Sequence, residues 1–212
     1  MKIDRVVVGP LEVNCWIVAD DAEGPCVVID PGGDSAELLG VLDARVPAAI
    51  VLTHGHFDHI GAVRALVEST GAPLLVHADD AASITSPQTN GGALFGFSDS
   101  APEATRLLVD GDAIQAGVLT FCVVHTPGHT HGGICLLVSD PAGGCAHLFS
   151  GDTLFAGSVG RTDFPGGDAR TLSRSIAEKI ATLPPGTAVH PGHGPDTTIA
   201  RELRRNPFFP RA

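Results

Sequence analysis

Four side chains able to bind a metal stand within six residues in His54-Gly55-His56-Phe57-Asp58-His59, directly after the apolar run Ala48-Ala49-Ile50-Val51-Leu52. Imidazoles and carboxylates are poor core material unless something satisfies them. One divalent cation satisfies several at once. The stretch therefore reads as a metal site at the end of a buried strand, leading into a helix. A complete site needs more ligands, and three later turns offer them: His129 after Pro127-Gly128, Asp152 after Ser150-Gly151, and His193 within Pro191-Gly192-His193-Gly194. Glycine beside each lets the backbone come close to a small target. Imidazoles plus carboxylates with no cysteine among them suit zinc, iron or manganese. Seven ligands exceed the needs of one tetrahedral ion, so two ions are the economical count. Asp152, with two oxygens, is the natural bridge.

The elements that must position these residues are legible from residue pattern. Residues 3–8, 14–19 and 26–29 are rich in β-branched side chains and predict an antiparallel meander. Asp34 with Glu37 reads as a capping box that opens a helix carrying Leu38, Leu39, Leu42 and Val46 on one face, ended by Pro47. Residues 50–53 predict a central strand. Ile60, Val63, Leu66 and Val67 recur at helical spacing up to Gly71. A short strand at 74–76 leads through His77-Ala78-Asp79-Asp80 into a brief helix. Residues 87–103 read as a long surface loop. Strands follow at 118–124, 134–139, 148–150 and 188–190, with a helix over 170–183. Asp196 is placed to cap a last helix running to Leu203. Strands then helices, twice over, predict an α+β fold of two mixed sheets packed face to face with helices outside. No linker divides the chain, so residues 1–212 read as one domain.

Composition removes several classes of function. Thirteen basic against 24 acidic residues give a net charge of −11, which argues against a nucleic-acid or anionic-membrane partner. No apolar run approaches membrane-spanning length, and the N-terminus reads as a strand rather than a signal peptide. Five cysteines, an odd number without a C-x-x-C pair, read as reduced and mostly buried thiols of a cytoplasmic protein.

With its three later turns, His54-x-His56-x-Asp58-His59 resembles the metallo-β-lactamase superfamily. The resemblance runs from Asp30-Pro31-Gly32 to the C-terminal helix. It implies an αβ/βα sandwich with two divalent ions, zinc foremost, at one edge of the sheets. It also implies that His54, His56 and His129 hold the first ion, that Asp58, His59 and His193 hold the second, and that Asp152 touches both. Residues 150–164 resemble glyoxalase II-like thioesterases. Residues 191–199 with Asn206-Pro207-Phe208 resemble the short bacterial branch of these hydroxyacylglutathione hydrolase-like enzymes, which lacks the helical glutathione-binding domain of longer members.

The implied reaction is hydrolysis of a small-molecule thioester of S-lactoylglutathione type. Two cations sharing a water would make hydroxide available near neutral pH, and the tetrahedral oxyanion would be stabilised where its charge develops. Asp58 would orient the hydroxide as well as bind metal. Competing readings are an iron-dependent persulfide dioxygenase, since Gly160-Arg161-Thr162-Asp163-Phe164 is shared with that group, and a lactamase or lactonase. A nuclease is disfavoured by the charge. Arg161 reads equally as a contact for an anionic part of the substrate and as an ion-pair partner of Asp163. Phe95 and Phe97 read as loop anchors ahead of substrate-mouth residues. Among His77, His125, His131, His147 and His190, otherwise structural or surface histidines, His131 is best placed for a supporting role. The chain has no tyrosine, so tyrosine contacts to glutathione in longer relatives cannot be copied, and the thiol carrier stays open.

Overall fold

Continuous apolar runs become central strands, and the shorter polar-flanked ones become edges. The computed structural model describes residues 1–43, 45–141 and 143–209. Strands β1 (Lys2–Val8), β2 (Val13–Ala19) and β3 (Cys26–Ile29) form the expected antiparallel meander. Strands β4 (Ala49–Val51), β5 (Leu74–His77) and β6 (Arg106–Leu108) then add in parallel, completing a six-stranded sheet in sequential order. Helices α1 (Ser35–Leu42) and α2 (Val63–Thr70) make the crossovers and cover its outer face, burying Leu38, Leu42, Val63 and Leu66 against Ile17, Val28 and Ile50.

The second sheet begins with the antiparallel strands β7 (Ala113–Ala116), β8 (Leu119–His125), β9 (Ile134–Ser139) and β10 (Ala146–Gly151). A small hairpin of β11 (Leu154–Phe155) and β12 (Ser158–Val159) follows. Helix α3 (Ala169–Ser175) runs on into a π-helical stretch over Ile176–Ile180. Strand β13 (Ala188–Pro191) then pairs in parallel with β10, and β14 (Thr197–Thr198) closes the edge before α4 (Ile199–Arg205). Leu172, Ile176, Ile180 and Ile199 pack on the outer face of this sheet. The inner faces meet through Trp16, Ile29, Val51, Phe121, Leu136 and Phe149. The order helix, sheet, sheet, helix is the predicted α+β sandwich. Among the described residues, no helix is long and apolar enough to cross a membrane.

Several local expectations are corrected. Asp34 precedes α1, but its backbone is left-handed (φ 50), and its side chain accepts no bond from the helix. Instead Oδ2 accepts the Gly9 N–H at 2.7 Å. There is no capping box because that dihedral turns the carboxylate toward the neighbouring turn. The helix stops at Leu42, with Asp43 at φ 54, so Val46 lies beyond it and is 62% exposed. The last helix is capped by Thr198, whose hydroxyl accepts the Arg201 N–H at 3.2 Å. Asp196 lies too early and pairs with His190. Within residues 87–103, Gly92–Phe95 form a 3₁₀ turn. All five cysteines are free; Cys15, Cys26 and Cys135 are buried, but Cys122 and Cys145 are exposed.

Candidate metal centre

Four strand ends converge at one edge of the sandwich. Beyond β4, Thr53 is gripped by Asp30, which lies just after β3: Oδ1 accepts the Thr53 N–H at 2.7 Å and Oδ2 accepts its hydroxyl at 2.6 Å. The chain then turns through His54 and His56 into a 3₁₀ turn over Phe57–His59. His129 lies in the turn between β8 and β9, Asp152 follows β10, and His193 follows β13. The sheets are tied together here. The Ile134 N–H donates to Thr53 O at 2.8 Å, and the Asn14 N–H donates to Gly192 O at 2.7 Å. A Cβ at Gly192 would overlap Asp152 Oδ1 and come within 2.8 Å of His59 Cε1, so a side chain there has no room.

All seven residues singled out from the sequence meet. Ligand atoms of His54, His56 and His129 lie within 4.8 Å of one another, as do those of Asp58, His59 and His193. In the first group His129 Nε2 is 3.0 Å from His56 Nδ1 and 3.3 Å from His54 Nε2. In the second, Asp58 Oδ2 is 3.3 Å from His193 Nε2 and 3.7 Å from His59 Nε2. Asp152 stands between the groups. Its Oδ2 is 3.7 Å from both His129 Nε2 and His193 Nε2, and its Oδ1 is 3.5 Å from His59 Nε2.

Three of the histidines have the far ring nitrogen occupied, which fixes how the near one faces inward. His129 Nδ1 bonds Arg161 O at 2.7 Å, His193 Nδ1 bonds Leu11 O at 3.0 Å, and His54 Nδ1 lies 3.1 Å from Thr53 Oγ1. His59 Nδ1 is 3.0 Å from Asp30 Oδ2, an ion-pair distance without hydrogen-bond alignment. Both His59 nitrogens and Asp152 Oδ1 are buried without a hydrogen-bond partner. Such orphans destabilise a fold by ~1–3 kcal/mol each. A divalent cation would satisfy His59 Nε2 and Asp152 Oδ1, while His59 Nδ1 stays beside Asp30, and a set of imidazoles and carboxylates is chemically suited to a dinuclear site.

The two groups differ electrostatically. Burial and the neighbouring imidazoles hold His54 well below its ordinary pKa, and they bring His56 down to about 3, so both rings are neutral, the form in which an imidazole can bind a metal. Burial also opposes charge on His59, but Asp152, Asp58 and Asp30 outweigh it and raise this imidazole to about 10. His193 is raised in the same way: burial works against its charge, and Asp58 and Asp152 prevail. For Asp58 burial favours the neutral acid, yet His59 and His193 win and its pKa falls below the usual carboxylate range. In the carboxylate-containing group His59 thus holds a proton that a cation would displace.

A cavity of about 350 Å³ opens over this cluster, walled by Leu11, Phe57, Phe95, Phe97, Arg161 and Phe164. Phe57 stacks on Phe97 at 4.8 Å and on Phe95 at 5.7 Å. The two loop phenylalanines therefore anchor the loop and line the mouth together. Arg161 makes the bidentate pair with Asp163 at 2.7 and 2.8 Å, and its guanidinium lies 3.6 Å over the Phe164 ring. A larger cavity of about 580 Å³ lies beside Arg161, lined by Leu172, Ile176 and Phe208. It contains none of the seven residues, so the smaller one is the candidate site. His131 is exposed, and its carbonyl receives His125 Nε2 at 2.9 Å. Thr53, which the sequence offers either as a hydroxyl support for the histidines or as a plain strand end, has its hydroxyl between Asp30 Oδ2 and His54 Nδ1; Asp30 shows only as a polar residue closing an apolar strand.

A two-sheet sandwich with a histidine- and carboxylate-lined cradle at one edge is the architecture of the metallo-hydrolases. Residues 8–193 match the Metallo-beta-lactamase superfamily, and the chain belongs to that family. Hydroxyacylglutathione hydrolase GloC of Haemophilus influenzae is 33% identical over 218 residues, covering 99% of this chain and 98% of its own. The crystal structure of BLEG-1 B3 metallo-β-lactamase superposes with a TM-score of 0.91 at 40% identity, covering 98% of this chain and 99% of that one. The crystal structure of TTHA1623 in a di-iron-bound form superposes with a TM-score of 0.81 at 40% identity, covering 97% and 100%.

Proposed function

We propose that this protein is a glyoxalase II-like thioesterase that hydrolyses an S-acyl derivative of a small anionic thiol. The observation that carries the reading is Arg161: among the described residues lining the cavity over the cluster, it is the one Arg or Lys. A basic group at that mouth suits a thiol carrier bearing a carboxylate. Likeness over almost the full chain to a protein named hydroxyacylglutathione hydrolase supports the same class.

In this reading His54, His56 and His129 would hold one divalent ion and Asp58, His59 and His193 the other, with Asp152, which stands between the two groups, available to both. Zinc is the expected metal, and the di-iron form of TTHA1623 keeps iron in play. When bound, the ions supply Lewis acidity that polarises a carbonyl and makes water nucleophilic near neutral pH. Asp58, kept ionised by His59 and His193, would accept a hydrogen bond from the attacking water and orient it. Phe57, Phe95, Phe97 and Phe164 exclude bulk solvent from the mouth. A thiolate leaves readily, so no strong general acid is needed. The unpaired cysteines fit a reducing compartment such as the cytoplasm.

A lactamase reading has its own support in the likeness to BLEG-1. One experiment separates the readings. Metal content is determined by elemental analysis, while S-lactoylglutathione hydrolysis, hydrolysis of a chromogenic β-lactam and oxygen uptake with glutathione persulfide are followed in parallel. Two metals with thioester turnover is the expected result. One iron with oxygen uptake and no thioester turnover, or β-lactam turnover alone, overturns the proposal.

A further inference from the structure

Asp80 is 3% exposed and closes the 3₁₀ turn Ala78–Asp80 that follows β5. A buried carboxylate is retained only where hydrogen bonds replace its lost hydration. Three donors reach this one, and all three come from the turns that carry His54, His56 and His129. Oδ2 accepts the N–H of Gly55, between His54 and His56, at 2.9 Å. The same oxygen accepts the hydroxyl of Thr130, the neighbour of His129, at 2.7 Å. Oδ1 accepts the Gly132 N–H at 2.7 Å.

The two glycines show how tightly these turns are drawn onto the segment. A Cβ at Gly132 would lie 2.6 Å from Asp80 N and 2.7 Å from its Cγ, and one at Gly55 would overlap Ser83 Oγ. Ser83 in turn donates to Asp80 O at 2.6 Å. His77, at the start of the same segment, stacks on His125 at 4.0 Å, and His125 Nε2 meets His131 O. One short piece of chain thus braces the His129 turn at two places and the His54–His56 turn at a third. Across the brace, His56 and His129 stand 3.0 Å apart.

We propose that Asp80 is a positioning residue for the His54–His56–His129 half of the centre. It fixes the separation of the two turns so that the three imidazoles converge before a metal arrives. The proposal rests on the metal-site assignment and not on the choice of thioester as substrate. Its specific consequence is asymmetry: the three-histidine half depends on Asp80, and the Asp58–His59–His193 half does not.

The informative variant is Asp80→Asn, which keeps the volume. One oxygen can still accept, but the amide NH₂ must then face either Gly132 N–H or the Gly55 and Thr130 donors. Metal-free wild type and variant are titrated with zinc against a chromophoric chelator, and with cobalt(II) while the visible spectrum is recorded. Expected is a roughly 10–100-fold weaker affinity for one equivalent, an altered cobalt spectrum for that equivalent, and a second equivalent bound as in wild type. Thr130→Val removes one donor and is expected to shift the same equivalent by less. Wild-type affinity for both equivalents in a folded Asp80→Asn protein overturns the proposal, as does equal weakening of both. If Asp80→Asn does not fold, Thr130→Val decides: unchanged binding of both equivalents overturns the proposal, and selective loss supports it.

Discussion

Asp30 holds Thr53 by both of its polar groups, taking the backbone N–H on Oδ1 at 2.7 Å and the hydroxyl on Oδ2 at 2.6 Å. The pair joins the end of β3 to the residue that immediately precedes His54. The same Oδ2 lies 3.0 Å from His59 Nδ1, so one carboxylate sets both ends of the His54–His59 turn.

Replacing Thr53 with Val keeps the shape and removes the hydroxyl. Asp30 Oδ2 then loses its shortest donor in a buried site. A loss of ~1–3 kcal/mol in stability is expected, read as a lower melting temperature at about 2–4 °C per kcal/mol for a chain of this size. An unchanged melt would show that the hydroxyl bond contributes nothing.

Asp58→Ala removes both a metal ligand and the orienting carboxylate of the proposed hydrolysis. A fall in kcat/KM of at least ~10²-fold is expected, with one equivalent of metal lost by elemental analysis. Full activity in a protein that binds one metal would contradict the assigned role.

Metal uptake is expected to release protons. His59 titrates near 10 in the metal-free protein, so at pH 8 it is charged, and a cation must displace its proton. Calorimetry in two buffers of different ionisation enthalpy reads the number released; a heat independent of buffer would refute the expectation. The raised value also has a stability sign. Its contribution to the metal-free fold is complete below pH 6.5 and is lost as pH rises through about 10. Melts of the metal-free protein should therefore fall across that window.

Arg161→Ala should raise KM for S-lactoylglutathione while changing kcat little. The side chain is 50% exposed and already paired with Asp163, so a modest effect of about threefold to tenfold is expected, reduced by added salt. A neutral thioester should show no such change. Equal effects on charged and neutral substrates would leave Arg161 with only the loop-shaping role.

Gly192→Ala places a methyl group against Asp152 and His59. Loss of metal binding with the fold retained, by circular dichroism and elemental analysis together, is the expected outcome. Normal metal content in this variant would mean that the turn relaxes freely.

Five of the seven converging side chains, His54, His56, His129, Asp152 and His193, were legible because each is a polar residue set against glycine, and Asp58 and His59 because they crowd into the same short stretch as the first two. Their supports were not. Asp30 looked like the start of a turn and Asp80 like the lead-in to a helix. The partners that give them meaning lie 23 and 52 residues away, beyond the reach of local pattern. The two-sheet order followed from β-branched runs, whereas β6 and the β11–β12 hairpin, of three and two residues per strand, are too short to show an alternation. Asp34 and Glu37 had the spacing of a capping box, but spacing carries no information about a positive φ. Val46 kept helical phase past a helix that had already ended at Asp43.

Strand β2 reaches across to the other sheet at the metal edge. Asn14 Nδ2 donates to Pro191 O and Gly194 O, and Trp16 Nε1 also donates to Pro191 O, contacts spanning 175 to 180 residues of chain. Closing so long a loop is entropically unfavourable and slow. The last corner of the centre can therefore come together only after both sheets exist and have docked. Unlike a small finger built around its ion, this centre is drawn from residues nearly the whole chain apart, so the spacing an ion would meet is set by how two sheets pack.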